Sequence, residues 1–357
     1  MVIYTSTQDA WNALRGARSA PPGRATEPGP EAAQPGDAPR PWRREVFCTA
    51  LEQAEQYFRA ADAVGTATQP LLLFYGLSQA GRAIAAAAWD LEGKKWKLNG
   101  HGINTRAMEG DLPAVLAPTR PRGDNGSFVR LSRLLRSPVW VDKAVTFAEL
   151  WDCLPISRDI PLSKDGEDRV VPLFVDHHHL HPEPHLQGGI RIGGLPARVL
   201  DASDRDVAFG EYLARFPGAH GPDISWWRRD GEERLDRRYE READGSGSMA
   251  VTFFAPDGGV LTRDQYLDRL RQVTRRHDGD WYFTPSIWGS THGIHPLMAW
   301  WAVMHALSDL VRYQPAEWAR HIDVDKSVHA VPIERLLAEA RRVLPIVIAE
   351  TLDEVAA

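Results

Sequence analysis

The stretch HPLMAWWAVMHALSDLVRY, residues 295–313, decides how this chain folds. Apolar residues run round every side of the helix it would form, so no face is left for water and each must be covered by other elements. Pro296 suits a first helical turn and Pro315 marks the stop. His305 and Asp309 in its middle make it a buried core helix rather than a membrane span. A second stretch of the same character, PLLLFYGLSQAGRAIAAAAWD at 70–90, lies more than two hundred residues earlier. Gly76, Ala80, Ala83 and Ala87 form a stripe of small residues against which another backbone can approach closely, while Tyr75, Gln79 and Arg82 form a polar stripe. Two such helices cover each other, which predicts a core assembled from the two ends of the chain.

Around these helices the pattern is mostly helical. Residues 7–18 read as a short helix with Thr7 as its cap. SAPPGRATEPGPEAAQPGDAPRP, 19–41, has no apolar periodicity and is expected to be a disordered loop. Phe47, Leu51, Ala54, Phe58 and Ala61 recur at helical spacing up to Gly65. Residues 91–126 are rich in Gly and Pro and read as loops, followed by short helices over SFVRLSRLLR and VTFAELWDCL. From 156 to 284 the texture turns to strands, in RVVPLFVD, IRIGGLPARVL and MAVTFFA, with a charged excursion at 225–248. Residues 261–277 read as a helix, and 331–355 as an amphipathic helix containing Pro345. The expected class is therefore α+β and mainly α. N-terminal (1–155) and C-terminal (285–357) segments form one helical bundle, and a β-containing insert (156–284) separates them.

A formal charge of −6 argues against a broad basic footprint for DNA or RNA. Two cysteines, Cys48 and Cys153, make no disulfide scaffold, and the first residues show no basic segment followed by an apolar run. A cytoplasmic protein is expected, not a membrane one, with homo-oligomerisation left open.

Several blocks resemble one family. WNAL from Trp11, PLLLFYGLSQAGRAI at 70–84, HGI at 101–103, GSFVRLSRLL at 126–135 and HPLMAWWAVMHALSDLVRYQPAEW at 295–318 are, in this order, similar to the YaaC-like proteins of bacteria. The resemblance spans nearly the whole chain and brings no set of catalytic residues with it. Its helical pair also resembles HEPN-type bundles, some of which are ribonucleases or handle nucleotides.

Four groups of residues are candidates for chemistry. His305, Ser308 and Arg312 share one face of the 296–313 helix, with Asp309 in reach. A buried guanidinium needs a partner or a wet cleft, and the same holds for Arg82 on the other helix. With His101 in the glycine-flanked loop NGHGI and His295 before a helix start, these residues outline a ligand pocket. Its ligand would be an anionic small molecule such as a nucleotide. The alternative is a pair of arginines serving only as interface ion pairs. DHHHLHPEPH, 176–185, offers His177, His179 and His181 on one face of an extended segment. The prolines that follow favour a surface loop over a metal site, so no metal or cofactor is expected. Arg271 and His277 are the nearest approach to a HEPN ribonuclease pair, and a metal-assisted hydrolase is the other enzymatic alternative. No P-loop, G-x-G-x-x-G, G-x-S-x-G or H-E-x-x-H signature occurs.

Overall fold

The computed structural model describes residues 4–26, 42–119, 126–140, 144–162, 169–176, 189–219, 224–225, 228–230, 234–236, 239–253, 261–287 and 290–357. Of the loop expected at 19–41, residues 27–41 lie outside them, as does the histidine run at 177–185; residues 19–26 are instead ordered, with Ser19 closing the first helix and a 3-10 turn at Gly23–Thr26 that buries Ala25. The helices are α1 (Thr7–Ser19), α2 (Arg43–Asp62), α3 (Gln69–Ala87), α4 (Ser127–Leu134), α5 (Phe147–Asp152), α6 (Ala197–Leu200), α7 (Arg205–Leu213), α8 (Arg263–Val273), α9 (Pro296–Tyr313), α10 (Pro315–His321) and α11 (Ala330–Ala356). The strands are β1 (Leu116–Ala117), β2 (Val145–Thr146), β3 (Leu173–Asp176), β4 (Gly189–Leu195), β5 (Ile224–Ser225), β6 (Arg228–Asp230), β7 (Arg234–Asp236), β8 (Tyr239–Arg241), β9 (Gly247–Phe253), β10 (Arg275–His277) and β11 (Asp280–Phe283). The fold is α+β and mainly α.

Every residue of α9 from Pro296 to Leu310 is buried. That follows from its all-round apolar sequence once α3, α4, α5, α10 and α11 pack about it. α3 lies against both α2 and α9, and its small residues set the spacing. At Gly76 a side chain would meet the Phe58 ring of α2 at 2.9 Å. At Gly81 a Cβ would stand 2.5 Å from Cζ3 of Trp301 and 2.7 Å from a Leu131 methyl. Replacing Gly81 by alanine gains about 1 kcal/mol of helix propensity but overpacks a filled interface, which costs about 1–3 kcal/mol. Urea unfolding of Gly81→Ala is expected to show a net loss. A midpoint unchanged or raised would mean the two helices have room to part.

One hydrophobic cluster gathers α1, α2, α3, α9 and α11 with the loops between, from Tyr4 to Leu162 and from Ile287 to Leu352. A second gathers residues from Leu173 to Phe283. Its sheet is antiparallel in the order β10-β11-β3-β4-β9-β5, with β8 also on β9. Val175 pairs with Ile192 and with Trp281, and Ile192 pairs with Met249. Leu173, Val175, Ile192, Met249, Val251 and Phe283 form its buried side, packed with Phe209 and Leu213 of α7 and Leu270 of α8. The clusters meet at the β10–β11 hairpin. There Arg276 lies 3.0 Å from Glu350 of α11 and Gly279 N–H donates to the same carboxylate at 3.2 Å.

Three local expectations are corrected. Ser6, not Thr7, caps α1, accepting from Asp9 N–H. The segment 205–213, within the span read as strands and turns, is a helix, capped by Asp204. The helix expected over 261–277 ends at Val273, and 275–277 is strand β10, because these residues pair with Tyr282, Trp281 and Asp280 of β11. Local periodicity carries no information about that pairing partner.

Candidate functional site

The site is built where α9 passes α3. His305, on the third turn of α9, is 2% exposed. Its ring meets Phe74 of α3 edge-on at 5.1 Å between centroids. It also lies 5.5 Å from the ring of His101, which in turn lies 5.6 Å from Phe74. Thr105 Oγ1 stands 3.4 Å from His305 Nδ1. Asp309, one turn on, places Oδ2 3.6 Å from the same nitrogen, long for a hydrogen bond but close enough to favour a proton there. Its other oxygen is taken by Arg312, whose guanidinium also sits 4.9 Å from the Tyr313 ring centre. The buried carboxylate thus faces both a neutral histidine and an arginine, so neither its charge nor that of Arg312 is buried alone.

His101 is exposed, on a loop held rigidly for a structural reason. Gly100 and Gly102 have φ of +65° and +76°, a backbone region other residues enter at a cost. Gly102 also lies so close to Gly126 that a Cβ on the latter would stand 2.3 Å from the Gly102 Cα. The N-terminus of α4 then uses this loop as its cap. Ser127 N–H and Oγ donate to Gly100 C=O at 3.1 and 2.7 Å, and Phe128 N–H donates to His101 C=O at 2.9 Å.

Both imidazoles are driven towards the neutral form. Burial pulls His305 down to about 4, against the opposing pull of Asp309, with His101 and Arg312 adding to the lowering. His101 is lowered first by partial burial, then by Arg312 and Arg82, with Asp309 working the other way. His101 therefore feels both guanidinium groups, one from each core helix. Arg82 itself is exposed and borders a cleft of about 190 Å³ lined by Val46, Trp96, Lys97, Leu98 and Asn99.

Of the residues singled out from sequence, His101, His305 and Arg312 thus come together, and Arg82 lies within electrostatic reach. His295 does not join them. It caps α9, with Nδ1 accepting from Leu297 N–H at 3.2 Å and Nε2 3.1 Å from Glu354. Ten residues of α9 put it about 15 Å from His305 along the helix axis. Ser308 is fully buried, and its Oγ has no partner among the described residues. Phe74, Thr105, Lys97 and Asn99 were missed. Their only sequence signal is proximity in the chain to His101 or to Arg82, which does not reveal where side chains meet.

Arg271 and His277 do not share a helix. His277 is 3% exposed in β10 and accepts from Trp300 Nε1 at 2.9 Å, with the two rings stacked 6.2 Å apart. Among the described residues no group of three or more His, Cys, Asp or Glu side chains is placed to hold a metal ion, and no helix is long and apolar enough to cross a membrane. A family model described as YaaC-like protein matches residues 37–352. No curated protein and no solved structure matches the chain.

Proposed function

The chain belongs to the YaaC-like protein family, and from that premise we propose that it binds an anionic small molecule where α3 and α9 meet. The observation that carries this reading is the position of His101. It is exposed, braced by the α4 cap, and subject to Arg82 and Arg312 from two different helices. An anion placed there gains from the exposed Arg82, from the guanidinium of Arg312 that Asp309 already orients, and from an imidazole that can donate a hydrogen bond. Asp309 holds Arg312 and His305 in place beforehand, so little ordering is needed on binding. A nucleotide fits this reading through its phosphates, its base and sugar lying outside the cleft. The ribonuclease alternative is weaker, because its histidine is already committed to Trp300.

The test is a thermal-shift panel of inorganic phosphate, nucleoside phosphates and small carboxylates. A ligand at a hundred times its Kd stabilises by about 2.7 kcal/mol, a shift of several degrees. Arg312→Leu alone would leave Asp309 buried without its cation, so the informative variant is Arg312→Leu combined with Asp309→Asn. This double variant is expected to fold and to show a clearly reduced anion-induced shift. A shift as large as wild type would place the anion elsewhere.

A further inference from the structure

The segment LEGKKWKLNG, 91–100, brings three lysines round one tryptophan beside Arg82. It has no regular secondary structure of its own to hold it, and two arginines from neighbouring helices do so. Arg43 of α2 is 3% exposed and donates from Nη1 to Ala86 and Ala88 C=O at 3.3 and 3.2 Å, and from Nη2 to Leu91 C=O. Arg130 of α4 donates to Lys95 and Lys97 C=O, both at 2.9 Å. Trp96 is 5% exposed, with Arg43 and Lys97 each over its ring at 5.4 and 5.3 Å. Each clamp joins a guanidinium to backbone oxygens, so neither uses the Asn99 amide or the Lys97 ammonium as a hydrogen-bond partner. Lys97 and Asn99 then line one cleft together with Arg82, and Val46, Trp96 and Leu98 supply its apolar lining. Among the described residues no carboxylate lines it, although Glu45 is exposed next to Val46.

We propose that this cleft is the seat of a phosphoryl group, with Arg82 and Lys97 matching its two negative charges and the Asn99 amide donating to a third oxygen. The proposal rests on the anion-binding reading above and names where the charge of that ligand sits. Charge matching separates the candidates: a carboxylate would leave one of the two cations uncompensated, whereas a phosphate dianion satisfies both. Size agrees. About 190 Å³ is below the 300–1,000 Å³ that encloses a whole drug-sized ligand. The cleft therefore takes a terminal phosphoryl group, and the body of a phosphate ester runs along Asn99 and Gly100 towards His101. Rigid bracing by Arg43 and Arg130 means that the segment is set before the ligand arrives.

Titration calorimetry on the full chain tests this with inorganic phosphate, ribose 5-phosphate and acetate at matched ionic strength. Phosphate and the ester are expected to bind, with acetate at least about tenfold weaker. The ester binding tighter than free phosphate identifies a phosphorylated metabolite, and the reverse identifies an ion site. Arg82→Ala and Lys97→Ala are each expected to weaken phosphate about tenfold or more without changing the melting temperature of the free protein, and Lys97→Arg to restore it. Proton NMR of His101 gives a second readout. Its titration midpoint is expected to rise when phosphate is bound, because the dianion offsets the guanidinium groups that now lower it. Acetate binding as well as phosphate, or Arg82→Ala and Lys97→Ala both binding phosphate normally, would overturn the seat. If the Arg312→Leu, Asp309→Asn variant alone loses the anion, the wider reading survives and this placement fails. If no anion binds wild type, both fail.

Discussion

Trp300→Ala is expected to remove about 3–5 kcal/mol of stability, the ordinary result of emptying a fully buried aromatic site. Trp300 is 0% exposed and lies on the side of α9 facing β10. It stacks on His277 and donates to its Nε2 at 2.9 Å, so alanine creates a cavity and also strips a buried acceptor of its donor. The second loss adds about 1–3 kcal/mol. Trp300→Phe keeps most of the ring volume and loses only the donor, so it should fall between. Urea unfolding of the three proteins separates packing from hydrogen bonding. Because this contact joins the helical cluster to the sheet-bearing one, hydrogen exchange in β10 and β11 should quicken in both variants. A loss below about 1.5 kcal/mol in Trp300→Ala would mean that the two clusters do not depend on this contact.

Acid should destabilise the protein well before the ordinary carboxylates titrate. In the unfolded chain His277 and His305 take up protons near pH 6.5, the usual value. In the folded chain burial holds them down to about 3 and about 4. The unfolded state therefore binds more protons between these limits, and stability falls as pH falls, by about 1.4 kcal/mol per pH unit for each histidine. Glu350 works in the opposite direction. Burial raises it to about 7 despite Arg276, so between pH 7 and its ordinary value the folded state holds the extra proton and gains stability as pH falls. Two histidines against one glutamate leave a net loss of about 1.4 kcal/mol per unit from pH 6.5 to about 4.5. The slope then steepens as the glutamate contribution ends. Denaturation curves across this range test it. His277→Gln, whose amide oxygen can still accept from Trp300, should flatten the slope, and Glu350→Gln should steepen it. Parallel profiles for all three proteins would show that these groups titrate normally.

The architecture was legible where the code is local and redundant. Residues 70–90 and 295–313 are apolar on all sides, and only mutual coverage within a larger bundle satisfies both. Gly76, in the stripe of small residues, announced a close contact by lacking a side chain, whereas the tighter approach at Gly81 showed only in the structure. Legibility failed where a partner decides the conformation. Residues 275–277 continue the charged pattern of α8, yet β11 draws them into a strand. His295 and His305 look alike in sequence, one beside a helix start and the other inside the helix. One became a cap bonded to Glu354 and the other a buried neighbour of His101.

The amino-acid sequence by itself determined the α+β class, the helical pair at its centre, the family and the residue types available for an anion. Tertiary structure alone decided which of those residues meet. Asp309 neutralises Arg312 while Arg82 stays exposed, and buried Arg43 and half-buried Arg130 hold the segment that carries Lys97 and Asn99 beside it. The reason is physical: burial and periodicity are properties of a segment, whereas charge pairing and cleft geometry belong to side chains that come from different segments and are set only when those segments pack.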